Sequence, residues 1–328
     1  MLPLISFIVT YHNEPEDFLR ACLESIQALP FADGEAEIIV VDDGSQNQFK
    51  IQNSSQSSGA GGTKFKVIRQ EQAGLSVARN TGIDAASGRY IQFVDADDCL
   101  IPATYEAVLE QVRRESADVI LFRMTQKPPL FPPSQAPQLL RYQRAIAPFG
   151  GVLQEVQLGH SPKGGEGGGF LLHRNLRAAA WGYAFKREIL GDLRFCPGLL
   201  HEDELFTPQL LLRADSLVEL GVKAYFYRQH EGTITHSKSS EKIQKRLNDI
   251  HFIIRELQRL ENPVLERRIR QLTVDYLQKT LTLTHSFAEL RCRTKELRRE
   301  GLLPLPLRFY SLRYVLFALL SRALPVFL

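Results

Sequence analysis

Apolar residues fall into two rhythms along the first 125 positions. Residues 4–10, 38–41, 65–68, 90–94 and 119–122 are short runs rich in β-branched and aromatic side chains. Such runs mark strands, those at 4–10 and 38–41 being buried ones. Between them, Phe18, Cys22, Ile26 and Leu29 recur at helical spacing, 75–86 reads as a helix ending near Gly88, and Pro102 opens another. Asn13 stands where a helix N-cap is expected, with Pro15 and Glu16 in the first turn. Strands alternating with helices predict an α/β fold with a mostly parallel sheet flanked by helices. In such sheets ligands bind beyond the carboxyl ends of the strands, so polar residues there are the place to look.

The rhythm breaks twice. Segment 46–64 is polar and rich in Gly and Ser, and is expected to be a flexible loop. Segment 125–170 carries KPPLFPPSQAP and GHSPKGGEGGG. It is expected to be irregular and to lie over the site with its glycine stretch mobile, the alternative being an insertion without function. From 241 onward the pattern is helical, with Ile243, Leu247, Ile250, Ile254 and Leu257 on one face and Pro263 separating the next helix. The expected organisation is a ligand-binding domain over 1–240 and a helical extension over 241–328, with no internal repeat.

Composition changes this picture little; charge changes it more. With 44% apolar and 23% charged residues in 328, the chain is neither disordered, collagen-like nor a multi-span membrane protein. Lys and Arg outnumber Asp and Glu by 40 to 37, but over 241–328 the count is 17 to 9, a net +8, leaving −5 elsewhere. A basic tail on an acidic body suggests an anionic partner. Segment 302–328 interleaves Leu, Phe, Tyr and Val with Arg308, Arg313 and Arg322, and its longest uncharged run between them, 314–321, is too short to span a bilayer. A basic amphipathic segment of this kind suits the boundary of an anionic membrane, the alternative being a packed helix. The four cysteines are scattered, without a metal or disulfide pattern, which points to a reducing compartment. The N-terminus reads as a first strand rather than a signal peptide.

Three polar clusters follow predicted strands. Asp95-Ala96-Asp97-Asp98 gathers carboxylates that repel unless a cation or donors compensate them. Hard oxygen ligands of this kind suit Mg2+ or Mn2+ on a substrate phosphate. Val41-Asp42-Asp43-Gly44-Ser45 offers carboxylates to a base or ribose, and Thr10-Tyr11-His12-Asn13 offers a stacking ring beside a hydroxyl. Each cluster taken alone could equally be a turn or a helix cap.

Together with A-G-L-S-x-A-R-N-x-G-I and S-G-R-Y-I, these clusters resemble family 2 glycosyltransferases of the GT-A fold. W-G-Y-x-F-K-R-E-I-L from Trp181, H-E-D-E-L-F from His201 and Y-F-Y-R-Q-H-E-G-T-I-T from Tyr225 are similar to segments of the bacterial polysaccharide-building members. The resemblance implies a GT-A-like sheet in which Thr10, Tyr11 and Asn13 line the nucleotide and Asp43, with Asp42 beside it, bonds the base. It places Asp95 and Ala96 at the ribose or sugar, Asp97 on Mn2+ or Mg2+, and Arg79 and Asn80 in support. Asp203, with Glu202 next to it, matches the catalytic base. Trp181 has the bulk of an acceptor platform, though a buried core Trp fits as well. His201, Arg228, His230 and His236 could reach metal or diphosphate, or be structural. Two departures stand out: Val9 occupies a place where many relatives have Pro, and the linker 125–178 has no motif to place, which leaves the acceptor site largely unassigned.

The implied activity is inverting transfer of a sugar from a nucleoside-diphosphate sugar, UDP-linked, to a hydroxyl of a growing polysaccharide or lipid-linked oligosaccharide. The implied location is cytoplasmic, on the inner face of the cell membrane. A sugar-nucleotide nucleotidyltransferase would need a Gly- and Arg-rich loop where Tyr11-His12-Asn13-Glu14 stands. A non-catalytic nucleotide-sugar-binding protein would need no base. Nucleic acid is not an expected partner, since the body is acidic and the tail apolar.

Overall fold

The computed structural model describes residues 2–46, 63–127, 165–229 and 239–327. The expected loop over 46–64 and the proline-rich part of 125–170 therefore lie largely outside the described residues. The elements in order are β1 (Ile5–Tyr11), α1 (Glu16–Gln27), β2 (Ala36–Asp43), β3 (Lys64–Gln70), α2 (Leu75–Ala85), β4 (Tyr90–Asp95), β5 (Cys99–Leu100), α3 (Pro102–Arg114) and β6 (Val119–Thr125). They continue with α4 (Gly165–His173), β7 (Tyr183–Lys186), α5 (Asp203–Leu212), β8 (Leu217–Phe226), α6 (Ser240–Arg259), α7 (Glu266–Thr284), α8 (Phe287–Arg299) and α9 (Leu312–Phe327).

The strands form one sheet in the order β3-β2-β1-β4-β7-β6-β8-β5. Its first four strands are parallel, as the alternation predicts, and β6 pairs β8 in parallel; β7 runs antiparallel between β4 and β6. Burial follows position. β1 and β2 are buried along their whole length, whereas the edge strand β3 is mostly exposed and carries Lys64, Lys66 and Arg69, charges that discourage edge pairing. Phe7, Val9, Val40, Val94, Tyr105 and Ile120 centre the core. Helix α2 lies close on the sheet because Gly82 has no Cβ: one built there would sit 2.2 Å from Ile8 Cγ2.

Two expectations are corrected. Asn13 does not cap α1, which starts at Glu16 behind Pro15 with no side-chain cap. Its backbone is left-handed (φ 61°), a conformation Asn tolerates, and its side-chain oxygen accepts the Gln46 N–H at 2.8 Å instead. The end of the glycine stretch is helical, forming the first half of α4. Packing overrides poor propensity there: a Cβ on Gly167 would lie 2.0 Å from the Leu211 carbonyl oxygen, and Glu166 accepts the Leu217 N–H at 2.8 Å.

The chain divides into two compact units. One comprises Met1–Gly169, Arg177–Gly198 and Phe206–His230; the other comprises Phe170–Leu176, Leu199–Leu205 and Glu231–Leu328. In the second, Leu247, Ile250, Ile254 and Leu257 of α6 are buried as their spacing predicts, and Asn262 caps the turn at Pro263 that separates α6 from α7.

Candidate active site

Sheet register brings the three polar clusters together. Thr10 pairs with both Val41 and Asp95, Tyr11 with Asp42, and Asp43 with Gln70, so the carboxyl ends of β1, β2 and β4 share one edge. Thr10 and Tyr11 are buried. The Tyr11 phenol is pushed up by burial first, then by the charges of Glu14 and Asp42.

Asp42 and Asp43 hold their own loops. Asp42 accepts the Ser45 N–H at 2.9 Å and so closes the turn that follows β2. Asp43 accepts from Gln70 Nε2 at 2.7 Å and from the backbone N–H groups of Ala73 and Gly74, each at 2.8 Å. The carboxylate thus fixes the chain that enters α2, while His12 Nδ1 lies 2.7 Å from the Asp43 carbonyl oxygen. Asn13 is brought to the same place, its N–H donating to Ser45 Oγ at 3.0 Å.

Helix α2 carries Arg79 and Asn80. Arg79 is buried and donates to Asp95 Oδ1 at 2.9 Å, its guanidinium lying over the Phe93 and Phe195 rings at 5.8 and 5.3 Å. Asn80 makes a reciprocal pair with the backbone of Phe195, each bond 2.8 Å, and so latches that segment to α2.

The acidic turn is clamped by the end of β8. Tyr225 accepts the Asp95 N–H at 3.1 Å and donates its hydroxyl to Asp98 at 2.8 Å, whose other oxygen accepts the Arg228 N–H at 2.7 Å. Arg228 Nε donates to the Asp97 carbonyl oxygen at 2.8 Å, and its guanidinium sits over Phe18 at 4.1 Å. Asp98 is fully buried. Burial, with the neighbouring charges of Asp95 and Asp97, holds its carboxyl far above the ordinary range. Ala96 is buried between the acids, its N–H donating to the Thr10 carbonyl at 3.3 Å. Trp181 is buried and stacks between Tyr225 (4.5 Å) and Tyr227 (5.7 Å). Tyr225 and Asp98 are the parts the motif reading left without a role. The tyrosines two apart at the end of β8 and just beyond it, Tyr225 and Tyr227, were the available signal.

In the second unit, Glu202 is buried and Asp203 opens α5. A left-handed residue, His201 (φ 63°), precedes them. Its imidazole is pushed down to about 4, by burial first and then by Lys279 and Arg246. Glu204 is paired with Arg268, which also donates to the Leu176 carbonyl at 3.1 Å. A helix N-terminus favours an ionised carboxylate. Arg228 belongs to the clamp; His230 and His236 lie outside the described residues.

Hard carboxylate oxygens at the end of β4 fit Mg2+ or Mn2+. Asp98 is committed to Tyr225 and Arg228 and one Asp95 oxygen to Arg79, while Asp95 and Asp97 stand at the same strand end. That suits a cation bound by one or two carboxylates and completed by substrate phosphates. Among the described residues, the three acid or imidazole side chains whose ligand atoms lie within 4.8 Å of one another are His251, Glu296 and Glu300, in the second unit. There His251 Nε2 is 2.7 Å from Glu300, an ion-pair geometry.

Comparison with known proteins bears on this arrangement. The family model described as glycosyl transferase family 2 matches residues 6–175. The uncharacterized glycosyltransferase EpsJ of Bacillus subtilis is 27% identical over 246 residues, covering 72% of this chain and 64% of EpsJ. Glycosyltransferase GlyG of Streptococcus pneumoniae is 25% identical over 329 residues, covering 90% of this chain and 96% of GlyG. Glycosyltransferase GlyA of the same species is 29% identical over 243 residues, covering 70% of this chain but 31% of GlyA. The match thus spans less than two thirds of EpsJ and of GlyA. Two solved structures share the fold. One is S. aureus TarS 1–349 in complex with UDP, with a TM-score of 0.60 at 19% identity over 97% of this chain and 88% of that one. The other is the mannosyltransferase PcManGT of Pyrobaculum calidifontis with GDP-Man and Mn2+, with a TM-score of 0.54 at 12% identity over 99% and 81%. No helix among the described residues is long and apolar enough to cross a membrane.

Proposed function

The chain belongs to glycosyl transferase family 2, and from that premise we propose that it moves a sugar from a nucleoside-diphosphate sugar, UDP-linked, to a hydroxyl of a growing polysaccharide or lipid-linked oligosaccharide. The observation that carries this reading is the shared edge of β1, β2 and β4, where Thr10, Tyr11, Asp42, Asp43 and Asp95 meet in register. The nucleotide-bound states of TarS and PcManGT support it.

Thr10, Tyr11 and Asn13 line the base, and the Asp42–Asp43 turn positions the loop beside it. Asp95, oriented by Arg79, faces the ribose or sugar. Breaking the sugar–phosphate bond puts positive charge on the anomeric carbon and negative charge on the departing diphosphate. Asp97, with Asp95 beside it, would hold Mg2+ or Mn2+, which would supply positive charge to offset the latter. Asp203, with Glu202 beside it, takes the proton of the attacking hydroxyl, help worth about 10²–10⁴-fold. Attack opposite the leaving group inverts the anomeric configuration. Trp181 braces the acidic turn through Tyr225. The basic tail brings this chemistry to the inner face of the cell membrane.

Calorimetric titration of UDP tests the reading. Mn2+ is expected to tighten UDP binding at least about tenfold. D97N should abolish that gain without lowering the melting temperature. Binding that ignores both Mn2+ and the substitution would leave the acids as a structural turn.

A further inference from the structure

Helix α9 presents apolar side chains on both of its sides. Tyr314, Ala318 and Ser321 form its buried face, spaced one and two turns apart. Ser321 Oγ accepts the Leu305 N–H at 3.1 Å, and Tyr314 donates to the Pro306 carbonyl at 3.2 Å. A helix seated this way should carry charge on its outer face. That face is instead Leu312, Leu316, Leu319 and Leu320, continued by Leu307 and Phe309, with exposure running from 45% at Leu320 to 84% at Phe309. A contiguous exposed apolar face of this kind marks an interaction surface.

Charge selects the occupant. No acidic residue occurs between Gly301 and Arg322; Arg308, Arg313 and Arg322 supply the charge. Arg313 is turned back to Asp275 at 2.6 Å and Arg322 donates to the Ala318 carbonyl at 2.8 Å, while Arg308 and Arg322 stay exposed. A second copy docking through the same face would set arginines against arginines with no acid between them. An anionic bilayer boundary offers acyl chains to the leucines and phosphates to the arginines.

We infer that the outer face of α9, with Leu307 and Phe309, seats itself in the headgroup region of an anionic membrane, Leu312, Leu316, Leu319 and Leu320 reaching the acyl boundary and Arg308 and Arg322 meeting phosphates. This deepens the lipid-linked acceptor reading and rests on it for its purpose, while its physics stands on the helix alone.

Vesicle flotation of the full chain tests it, with phosphatidylglycerol–phosphatidylcholine vesicles beside phosphatidylcholine alone. The wild type should float with the anionic vesicles and largely remain behind with the neutral ones. L316S/L320S changes two side chains of the exposed face and none of the buried one, so melting temperature and UDP affinity should hold while partition into anionic vesicles drops at least about tenfold. Equal flotation of variant and wild type overturns the inference, as does a wild type that floats with neither vesicle. A dimer that the double substitution dissolves would give the face to a second copy and overturn it too. Failure of the glycosyl-transfer reading would show separately, as absent UDP binding in both proteins with flotation intact.

Discussion

At the scale of single residues, motif spelling and local contact tell different parts of one story. The clusters at Asp42 and Asp95 were legible because charge concentrated after an apolar strand is costly without a purpose, and that at Thr10 because a ring and a hydroxyl follow one. What each acid does inside its cluster was not legible, since that depends on partners far away in sequence. Asp43 is held by donors from 70–74, and Asp98 by Tyr225 and Arg228. Asp203 differs in being tested by its isostere. Asn caps a helix about as well as Asp, so a purely structural Asp203 would tolerate D203N. As the base, it should lose at least about 10² in turnover while UDP affinity and melting temperature hold; near-normal transfer would pass the role to Glu202. The neighbouring His201 carries a pH prediction. Its folded-state value, about 4, lies below the ordinary 6.5, so the unfolded chain binds its proton first. The stability it confers is complete above pH 6.5 and is lost as pH falls toward 4. H201N keeps a residue that tolerates φ 63° and removes the titration. Urea unfolding should show a fall from pH 7 to pH 4.5 that is about 1–3 kcal/mol smaller in H201N than in wild type; identical pH profiles would contradict it.

At the scale of elements, hydrophobic rhythm predicted those whose burial is continuous and missed those built by packing. β1, β2 and β4 are read from their runs because both faces are covered. β7, four residues between two short 3-10 turns, has no rhythm to read, and β8 alternates buried and half-exposed positions around Gly221. Helix α4 defies propensity outright, because only glycine lets it approach the Leu211 carbonyl. The same logic at Gly82 gives a prediction. A methyl there meets Ile8 Cγ2 at 2.2 Å, and Ile8 is fully buried between α2 and its neighbours. Helix propensity alone would make G82A stabilising by about 1 kcal/mol. Overpacking against a closed core costs about 1–3 kcal/mol, so the net effect should be destabilising, with UDP affinity reduced because α2 carries Arg79 and Asn80. A melting temperature at or above wild type would show that the sheet yields there.

At the scale of the whole molecule, the second unit is assembled from three stretches of chain, and its contacts say what a cut would break. A boundary at 240 separates Arg268 from Glu204 and from the Leu176 carbonyl. It also separates Arg267 from the Leu172 carbonyl and from Asn175, and Asp249 from the Leu200 N–H at 2.9 Å. Arg268 has a side-chain exposure of 8%, so Glu204 would lose a largely desolvated partner. Removing one member of such a pair costs about 3–5 kcal/mol, well above the 0–1 kcal/mol of an exposed pair. Leu171 and Leu205, now buried, would face water as well. Hydrophobic pattern alone placed the organisational break near 240, because it registers where helical rhythm begins and not which earlier residues the helices cover. A chain ending at 240 should therefore melt at least several degrees below the full chain and be cleaved by protease within 199–205, while D97 and its neighbours remain intact in sequence. If the shortened chain melted within about a degree of the full one and resisted cleavage there, the contacts of Arg268 and Asp249 would be incidental to the fold, and the first 240 residues would stand as a domain of their own.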